Sequence, residues 1–284
     1  MAAYRGRLAP TPTGLMHVGH ARTFALAARR TEAAGGSLIM RIEDLDGSRC
    51  RPEFSEAALE DLHWLGLNWQ EGPDAGGPHA PYVQSRRLPW FAEVWRRLHA
   101  SGTIYPCDKS RKDVERALSA PHAEDDAEPI FPASLRPASD AGRDAFDPGS
   151  TNWRFRVPDG KVIGFMDAIR GAQRFTAGTD FGDFLVWRKD GMPAYELAVV
   201  ADDHAMGVTE VVRGADLLLS TARQLLLFEA LGWPPPAWAH APLVTDLFGR
   251  RLAKRASGLS IRELRDRGFS PADVLSADLS QLSP

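Results

Sequence analysis

The beginning of the chain alternates between strand and helix patterns, and this alternation restricts the fold more than any other feature. RGRLAP, at residues 5–10, predicts a short strand that ends at Pro10. A run rich in Ala, Leu and Arg then predicts a helix over residues 21–34, which two consecutive glycines end. SLIMRIED, at residues 37–44, predicts a buried strand, because its apolar residues cluster and its charges begin only near its end.

Two more helix patterns follow in the first hundred residues. Pro52 begins one helix, which Gly66 ends, and residues 88–100 place their apolar side chains on one face. An order of strand, helix, strand and helix predicts a parallel sheet with helices on both faces.

Similar patterns return in the second half of the chain after an interruption. Residues 119–150 are rich in Ala, Pro and Asp and predict a long surface loop, which VIGFMDAI follows as a strand. DFLVWR, VTEVVRG and APLVTD predict further strands, and Asp216 is a candidate N-cap for a helix that Gly232 ends. IRELRDRG predicts a last helix before a polar tail.

We therefore expect an α/β fold: a Rossmann-like, doubly wound parallel sheet, split by an inserted α+β segment and followed by a short helical C-terminal extension. The expected boundaries are 1–104 and 181–255 for the two halves of the catalytic domain, 105–180 for the insert and 256–284 for the tail.

Composition excludes several classes of protein. A net charge of -3 over 284 residues argues against broad, non-specific nucleic-acid binding, although a small local contact stays open. The pairs at 86–87 and 96–97 are interpreted as solvated arginines on helix faces. No apolar run is long enough to span a membrane, and the N-terminus lacks the apolar core of a signal peptide. Two cysteines, Cys50 and Cys107, do not make a disulfide framework, so we expect a cytoplasmic location.

PTPTGLMHVGH, at residues 10–20, lies where the first strand leads into a helix. In open α/β sheets such a turn binds phosphates, because the N–H groups and the dipole of a helix N-terminus favour anions. His17 and His20 are candidates to donate hydrogen bonds to phosphate oxygens and to stabilise charge in a transition state. Taken alone, H-x-x-H is more often structural or accidental. Zinc is the other alternative, but no nearby Cys/His pair completes a set of ligands.

Two charged stretches add to this pattern. RIEDLD, at residues 41–46, follows the second strand at the sheet edge where ligands bind, and a carboxylate there can pair with an amino group. For Asp44 and Asp46 a solvated charged turn is the favoured interpretation.

GRRLAKR, at residues 249–255, carries four cations in seven positions. Alone it indicates a solvated loop, but a lysine on such a loop also suits a leaving polyphosphate.

Together these motifs resemble the class I aminoacyl-tRNA synthetases. RLAPTPTGLMHVGH resembles the opening signature, with HVGH in place of HIGH, and RLAKR stands where that class has its KMSKS loop. RIEDLD and PAYELAVVADDHAMGVTEVVRGADLLLSTARQ resemble segments of the glutamyl and glutaminyl branch. The resemblance covers about residues 5–107 and 180–255, with the four motifs in the family's order.

Length separates the members of this branch. Discriminating glutamyl-tRNA synthetases carry a large anticodon-binding region after the KMSKS loop, whereas 29 residues follow Arg255 here (284 minus 255). The chain therefore resembles the glutamyl-Q tRNA(Asp) synthetases, which attach glutamate to the queuosine base at the wobble position of tRNA(Asp). The resemblance implies a ligase that uses glutamate, ATP and Mg²⁺ and receives the anticodon loop on its catalytic face. We expect it to bind no membrane and to act as a monomer.

The resemblance also implies catalytic and ATP-binding roles. His17 and His20 would contact the phosphates, Gly19 would let adenine lie close, and Lys254 would stabilise the leaving pyrophosphate. The KMSKS-like loop departs from the family at two other positions, where Arg and Ala replace the first lysine and a serine, but it keeps Lys254.

Glutamate binding is implied for a stretch of the first strand and for three later positions, namely Arg7, Leu8, Ala9, Pro10, Thr11, Glu43, Tyr195 and Arg213. Glu43 would hold the substrate ammonium group. Arg213 would bind a carboxylate, which a fixed guanidinium can do at two places. A half-buried core position is the alternative for Tyr195, and a structural ion pair is the alternative for Arg213.

The insert departs from family members that bind zinc through Cys-x-Cys and a later Tyr-x-x-x-Cys. Cys107 is present, but Lys109 occupies the place of the second cysteine. Phe131 and Leu135 stand where Tyr and Cys would be, and neither can ligate a metal. We therefore expect no zinc, and an insert that is loose or held by packing alone.

Three other functions stay open at this point. A glutamyl-tRNA synthetase-like catalytic fragment would charge the tRNA 3′ end or form only glutamyl-adenylate. A small nucleotidyltransferase shares the H-x-G-H turn, but RIEDLD, PAYELAVVADD and the late lysine loop argue against it. The retained Arg7, His17, His20, Glu43 and Lys254 argue against a catalytically silent RNA-binding module.

Overall fold

A computed structural model describes residues 3–110, 113–114, 130–243 and 260–276, and within them the chain forms nine β-strands and seven α-helices. The strands are β1 (Arg5–Leu8), β2 (Ser37–Met40), β3 (Ile104–Cys107), β4 (Asn152–Phe155), β5 (Val162–Asp167), β6 (Gly171–Thr176), β7 (Phe184–Trp187), β8 (Glu210–Gly214) and β9 (Ala237–Ala241). The helices are α1 (Val18–Ala33), α2 (Pro52–Trp64), α3 (Leu88–Ala100), α4 (Tyr195–Ala205), α5 (Leu218–Leu231), α6 (Ile261–Asp266) and α7 (Pro271–Leu275).

The centre of the fold is a parallel sheet. β1 pairs in parallel with β2, and β9 pairs in parallel with β8 on one side and with β5 on the other. The Thr209 amide donates to the Arg5 carbonyl over 2.9 Å, which places β8 beside β1. β6 adds an antiparallel edge next to β5. The α/β class predicted from the alternating patterns is confirmed.

Helices cover both faces of this sheet. Val211 and Val212 are neighbours in β8, and their side chains enter two different cores, as successive residues of a strand do. On one face α1 packs on β1 and β8, and Gly6 allows this approach because a Cβ atom there would overlap the Thr31 hydroxyl of α1. On the other face α3, α4 and α5 pack together. Among the helices described, none has the length and apolar composition needed to cross a membrane.

A second, antiparallel sheet of order β3-β4-β7 joins the predicted insert to the segment after it. β7 pairs with β4, and Trp187 lies opposite Trp153. β5 lies inside the predicted insert but also joins the main sheet, where Asp167 pairs with Trp238 of β9. The domain boundaries at residues 105 and 180 stay predictions.

The loop expected over residues 119–150 is only partly described. Residues 130–150 form turns and one short 3-10 helix, Ala133–Leu135, which agrees with the expectation for that part. Residues 119–129 lie outside the described part of the chain.

Two expectations about element boundaries in the second half are wrong. Asp216 does not cap α5, because it lies in a 3-10 turn that precedes the helix, and Leu217 takes the N-cap position. Of APLVTD, Ala241 ends β9, and Pro242 and Leu243 do not continue the strand, because Pro242 has no N–H to donate to a sheet; residues 244–246 lie outside the described part of the chain. Gly232 ends α5 as expected, with a left-handed φ of 67°.

Three helical features were not predicted. α1 begins at Val18 rather than at residue 21, because His17 already takes the extended N-cap conformation. α4 was missed altogether. α7 occupies the segment expected to be a polar tail, and it begins at a capping box formed by Ser270 and Asp273.

Candidate active site

Four residues assigned to glutamate binding come together at the carboxyl ends of the parallel strands. Arg7 lies in β1, Glu43 follows β2, Arg213 lies near the end of β8, and Tyr195 begins α4. Nη1 of Arg213 donates to the Tyr195 hydroxyl over 3.4 Å, and Nη1 of Arg7 donates to the carbonyl of Val212 over 2.9 Å. Ligands of open α/β sheets bind at this edge. The residues thus surround the place where the fold class expects a pocket.

Tyr195 is accessible to a ligand. Its exposed fraction is 39%, so part of the side chain is open to a ligand, and the alternative of a half-buried core position stays open. Desolvation raises the pKa of Tyr195 to about 12, with a positive charge on Arg213 opposing this and a negative charge on Glu43 adding to it. The hydroxyl therefore keeps its proton near neutral pH. Since it accepts from Arg213, it can donate that proton to a bound carboxylate.

The stretch over residues 7–11 is held against the segment that follows β2. The Glu43 amide donates to the Pro10 carbonyl over 3.0 Å. Leu8 and Pro10 are buried, Ala9 is half-buried and Thr11 is exposed. Within this stretch Thr11 therefore offers an accessible hydroxyl, whereas the apolar residues fix the backbone.

Glu43 belongs to a buried charge network that the sequence did not reveal. The fully buried Arg41 donates to Oε1 of Glu43 over 2.8 Å and to Oδ1 of Asp203 over 2.7 Å. Asp202, in turn, accepts from Nε of Arg87 over 2.7 Å. Both hydrogen bonds from Arg41 to Glu43 reach Oε1, so Oε2 lies outside this ion pair. Burial raises the pKa of Glu43, although the charge of Arg41 opposes the rise.

Arg7 is buried and only partly satisfied. Its Nε lies 3.7 Å from Oδ1 of Asp203. Neither Nε of Arg7 nor Oδ2 of Asp203 has a hydrogen-bond partner among the described residues. Burial lowers the pKa of Arg7, although Asp203 opposes the shift. A buried guanidinium with unused donors is suited to bind an anion.

Arg213 is held by neutral groups. Its Nη2 donates to the Thr221 hydroxyl over 2.7 Å, and its Nε lies 3.2 Å from Nε2 of His240. The guanidinium also lies over the Trp238 ring, 4.8 Å from the ring centroid. No carboxylate of the described residues forms an ion pair with Arg213. The alternative of a structural ion pair therefore does not hold within the described part, and the positive charge is left for a ligand.

The two motif histidines lie at the N-terminus of α1. His17 is the N-cap, and Gly19 and His20 occupy the second and third helical positions. The His17 amide donates to Nδ1 of His20 over 3.3 Å, and the ring centroids are 6.2 Å apart. His20 is exposed. A helix N-terminus that carries two imidazoles favours an anion such as a phosphate group.

Lys254, the third residue assigned to catalysis, lies outside the described residues. The chain re-enters the described part at Ser260, six positions later, where it forms a backbone bridge with His17. Next to this bridge the Ile261 amide donates to the Met16 carbonyl over 2.8 Å. The segment that follows the KMSKS-like loop is thus anchored directly beside the HVGH motif.

Comparison with known families shows which family has this fold and these motifs. The family model of class I tRNA synthetases (E and Q), catalytic domain, matches residues 3–278. The chain belongs to this family.

Two relatives of this class I synthetase are similar over nearly its whole length. The glutamyl-Q tRNA(Asp) synthetase of Symbiobacterium thermophilum is 48% identical over 273 residues, which are 95% of this chain and 84% of that protein. The protein of the same name from Nitratidesulfovibrio vulgaris is 47% identical and is covered to 83%. The crystal structure of the glutamate-tRNA synthetase from Elizabethkingia anophelis matches with a TM-score of 0.75 at 30% identity. The match covers 94% of this chain. It covers 54% of the Elizabethkingia protein, so the present chain spans about half of that protein.

Most other charged motifs of this class I synthetase serve its structure. Asp46 fits the expected solvated turn, since it pairs with Arg49 over 2.6 Å. Asp44 does not fit it, because its carboxylate accepts from the amide and the hydroxyl of Ser85 over 2.8 and 2.6 Å.

The arginine pairs differ from each other. Arg96 and Arg97 are exposed and lie beside Glu93, as expected for a solvated helix face. Arg87 is buried instead, because its partner Asp202 lies on α4. The interpretation of residues 86–87 as a solvated pair is therefore wrong for Arg87.

The place of the family's zinc ligands is an apolar cluster in this class I synthetase. The buried members are Tyr105, Cys107, Val114 and Phe131, and Leu135 packs against them. The guanidinium of Arg154 lies 4.4 Å from the centroid of the Phe131 ring. One thiol among aromatic and aliphatic side chains does not fit a zinc ion, which takes four ligands. Apolar packing holds this part of the insert together with buried Asp183, which accepts from the Tyr105 hydroxyl over 2.6 Å and pairs with Arg136 over 2.7 Å.

Proposed function

We propose that this class I synthetase activates glutamate with ATP and transfers it to the queuosine base at the wobble position of tRNA(Asp). The observation that carries the proposal is sequence identity. The chain is 48% and 47% identical to the two relatives with that name, against 30% to the solved glutamate-tRNA synthetase. The pocket supports the same substrate, because its side chains offer cations, a carboxylate and a hydroxyl at one sheet edge.

Glutamate fits the charges of this pocket. Oε2 of Glu43, which Arg41 leaves free, accepts the substrate ammonium group. Arg213 and the Tyr195 hydroxyl take the side-chain carboxylate through charge-assisted hydrogen bonds. Arg7 supplies a second buried cation beside them, and its Nε has no partner among the described residues. Glutamine lacks the second negative charge and binds less well.

In the first step the α-carboxylate of glutamate attacks the α-phosphorus of ATP and expels pyrophosphate. The carboxylate is already ionised, so no general base is needed, and the protein contributes positioning and charge stabilisation. His17 and His20 donate to the phosphates, Gly19 leaves room for adenine, and Lys254 approaches the leaving pyrophosphate. Mg²⁺ arrives with ATP as part of the substrate.

In the second step a hydroxyl of the queuosine cyclopentene ring attacks the mixed anhydride, and AMP leaves. The catalytic face itself receives the anticodon loop, which is compatible with a net charge of -3 because only a small RNA surface is bound. We further propose that the enzyme acts as a monomer in the cytoplasm, where Cys50 and Cys107 remain free thiols.

Aminoacylation with radiolabelled glutamate tests the proposal, with queuosine-containing tRNA(Asp) compared with tRNA(Asp) that carries unmodified guanosine. We expect label on the queuosine-containing RNA alone. After nuclease digestion the label should be on the anticodon nucleotide.

Other outcomes distinguish the alternatives. Label on the 3′-terminal adenosine would support a glutamyl-tRNA synthetase-like fragment. Glutamate-dependent ATP–pyrophosphate exchange without any labelled RNA would support an enzyme that stops at the adenylate. A folded chain without glutamate-dependent exchange would contradict the proposed function and favour a silent module.

A further inference from the structure

Arg213 is backed by a histidine and an aspartate that lie behind the pocket. Nε of Arg213 is 3.2 Å from Nε2 of His240, and Nδ1 of His240 is 2.6 Å from Oδ2 of Asp167. The exposed fractions of His240 and Asp167 are 0% and 2%. Asp167 comes from β5 and His240 from β9, and neither residue belongs to the motifs described above.

The hydrogen bonds define the tautomer of His240. The pKa of Asp167 lies below its usual range. Burial by itself would raise this pKa, but hydrogen bonds from the His240 ring and from the amides of Arg170 and Ile169 outweigh that effect. Asp167 is therefore ionised and can only accept, so Nδ1 of His240 carries the proton. Burial lowers the pKa of His240, although its bond to Asp167 opposes the shift. The ring is neutral, and the lone pair of Nε2 faces both Nε of Arg213, at 3.2 Å, and the Thr221 hydroxyl, at 3.1 Å.

We propose that His240, oriented by Asp167, is the positioning residue that directs the guanidinium of Arg213 toward the side-chain carboxylate of glutamate. This inference rests on the proposed function, which makes glutamate the ligand of Arg213. His240 holds Nε, and Thr221 holds Nη2 over 2.7 Å. With these two nitrogens fixed, Nη1 lies toward the Tyr195 hydroxyl, 3.4 Å away.

A neutral acceptor suits this position for an electrostatic reason. A carboxylate in direct contact with Arg213 would form an ion pair and compete with the carboxylate of the substrate. The imidazole supplies a lone pair without a full negative charge, and it keeps the charged Asp167 on its far side. Arg213 is thus oriented while its charge stays available, which is what selection of glutamate over glutamine requires.

Two substitutions separate the nitrogen atoms of His240. In His240→Gln the side-chain amide reaches the position of Nε2, and its oxygen can accept from Arg213. In His240→Asn the amide reaches the position of Nδ1 and leaves Arg213 without this acceptor. Asp167→Asn is a third variant, because its amide can donate to Nδ1 and so move the imidazole proton to Nε2, where it opposes the Arg213 donor.

Glutamate-dependent ATP–pyrophosphate exchange measures the effect. For His240→Asn and Asp167→Asn we expect the KM for glutamate to rise at least about tenfold, as for one lost hydrogen bond to a charged group. The kcat and the KM for ATP should stay within about threefold, because the reacting groups are not touched. His240→Gln should keep the KM for glutamate within about threefold of the unchanged chain.

Equal KM values for glutamate in the Gln and Asn variants would overturn the inference, because a residue that only fills space makes no such distinction. Nitrogen-15 NMR of the histidine-labelled, unchanged chain adds a test that does not depend on activity. The ring signals that vanish in His240→Gln should show a protonated Nδ1 and a bare Nε2, and a protonated Nε2 would refute the inference. If the unchanged chain lacks glutamate-dependent exchange, the proposed function fails, and the NMR result still decides how His240 meets Arg213.

Discussion

Asp61 allows a prediction about stability whose size follows from the structure. It lies in α2 with an exposed fraction of 0%, and neither carboxylate oxygen has a hydrogen-bond partner among the described residues. Burial raises the pKa of Asp61 from 3.8 to about 6, although the positive charges of Arg262 and Arg265 oppose the rise. The folded chain therefore holds a proton that the unfolded chain releases in the window between these values.

The sign and magnitude follow from linkage. Between about pH 4 and pH 6 the native state binds the proton more tightly, so the free energy of unfolding falls as the pH rises. A shift of about two pKa units corresponds to about 3 kcal/mol once Asp61 is fully ionised. Asp61→Asn removes the ionisation and keeps the shape. We expect its free energy of unfolding, relative to the unchanged chain, to increase by about 2–3 kcal/mol from pH 4 to pH 8.

Urea unfolding followed by tryptophan fluorescence at several pH values measures this difference. Glu56→Gln is the matched control, because Glu56 is an exposed carboxylate on the same helix. The comparison across pH cancels any constant effect of the amide. If the difference in free energy of unfolding between Asp61→Asn and the unchanged chain did not vary with pH, the conclusion that ionisation of buried Asp61 destabilises the native state would be refuted.

Three further substitutions test the pocket and the packing. Tyr195→Phe removes the hydroxyl that accepts from Arg213, and we expect the KM for glutamate in ATP–pyrophosphate exchange to rise about five- to tenfold. An unchanged KM would show that this hydroxyl does not meet the substrate. Asp203→Ala leaves the buried Arg41 without one of its partners, and urea unfolding should show a loss of about 3–5 kcal/mol. Gly6→Ala brings a methyl group onto Thr31, so thermal unfolding should show a loss of about 1–3 kcal/mol, which Thr31→Ala should partly restore. If the effects of Gly6→Ala and Thr31→Ala on stability were strictly additive, a contact between positions 6 and 31 would be contradicted.

The helices of the first hundred residues could be predicted from sequence because each has an apolar face and a polar face. α2 begins at Pro52 and α3 covers residues 88–100, both as expected. α4 shows the limit of this approach. Its residues 196–203 are all buried, so no polar face interrupts the apolar run to mark a helical period.

Partners that lie far apart in sequence account for the misinterpreted charged residues. Arg86 and Arg87 look alike in the chain, but only Arg87 meets Asp202, 115 positions away. The motif resemblance assigns residues that would touch the substrate, such as Arg213. It does not extend to His240, which reaches the pocket only through another side chain. The roles of the motif residues themselves stay predictions for the experiments above.

The apolar cluster around Cys107 adds hydrophobic stabilisation to the described part of the insert, beside the ion pair of Arg136 with Asp183. Because the hydration of apolar groups becomes less unfavourable as water cools, the attraction that holds such a cluster weakens toward the freezing point. A segment tied by metal–ligand bonds would respond to chelators and to trace-element supply instead. The contribution of the Cys107 cluster to the stability of this segment should therefore fall on cooling, and adding a chelator should leave that contribution unchanged.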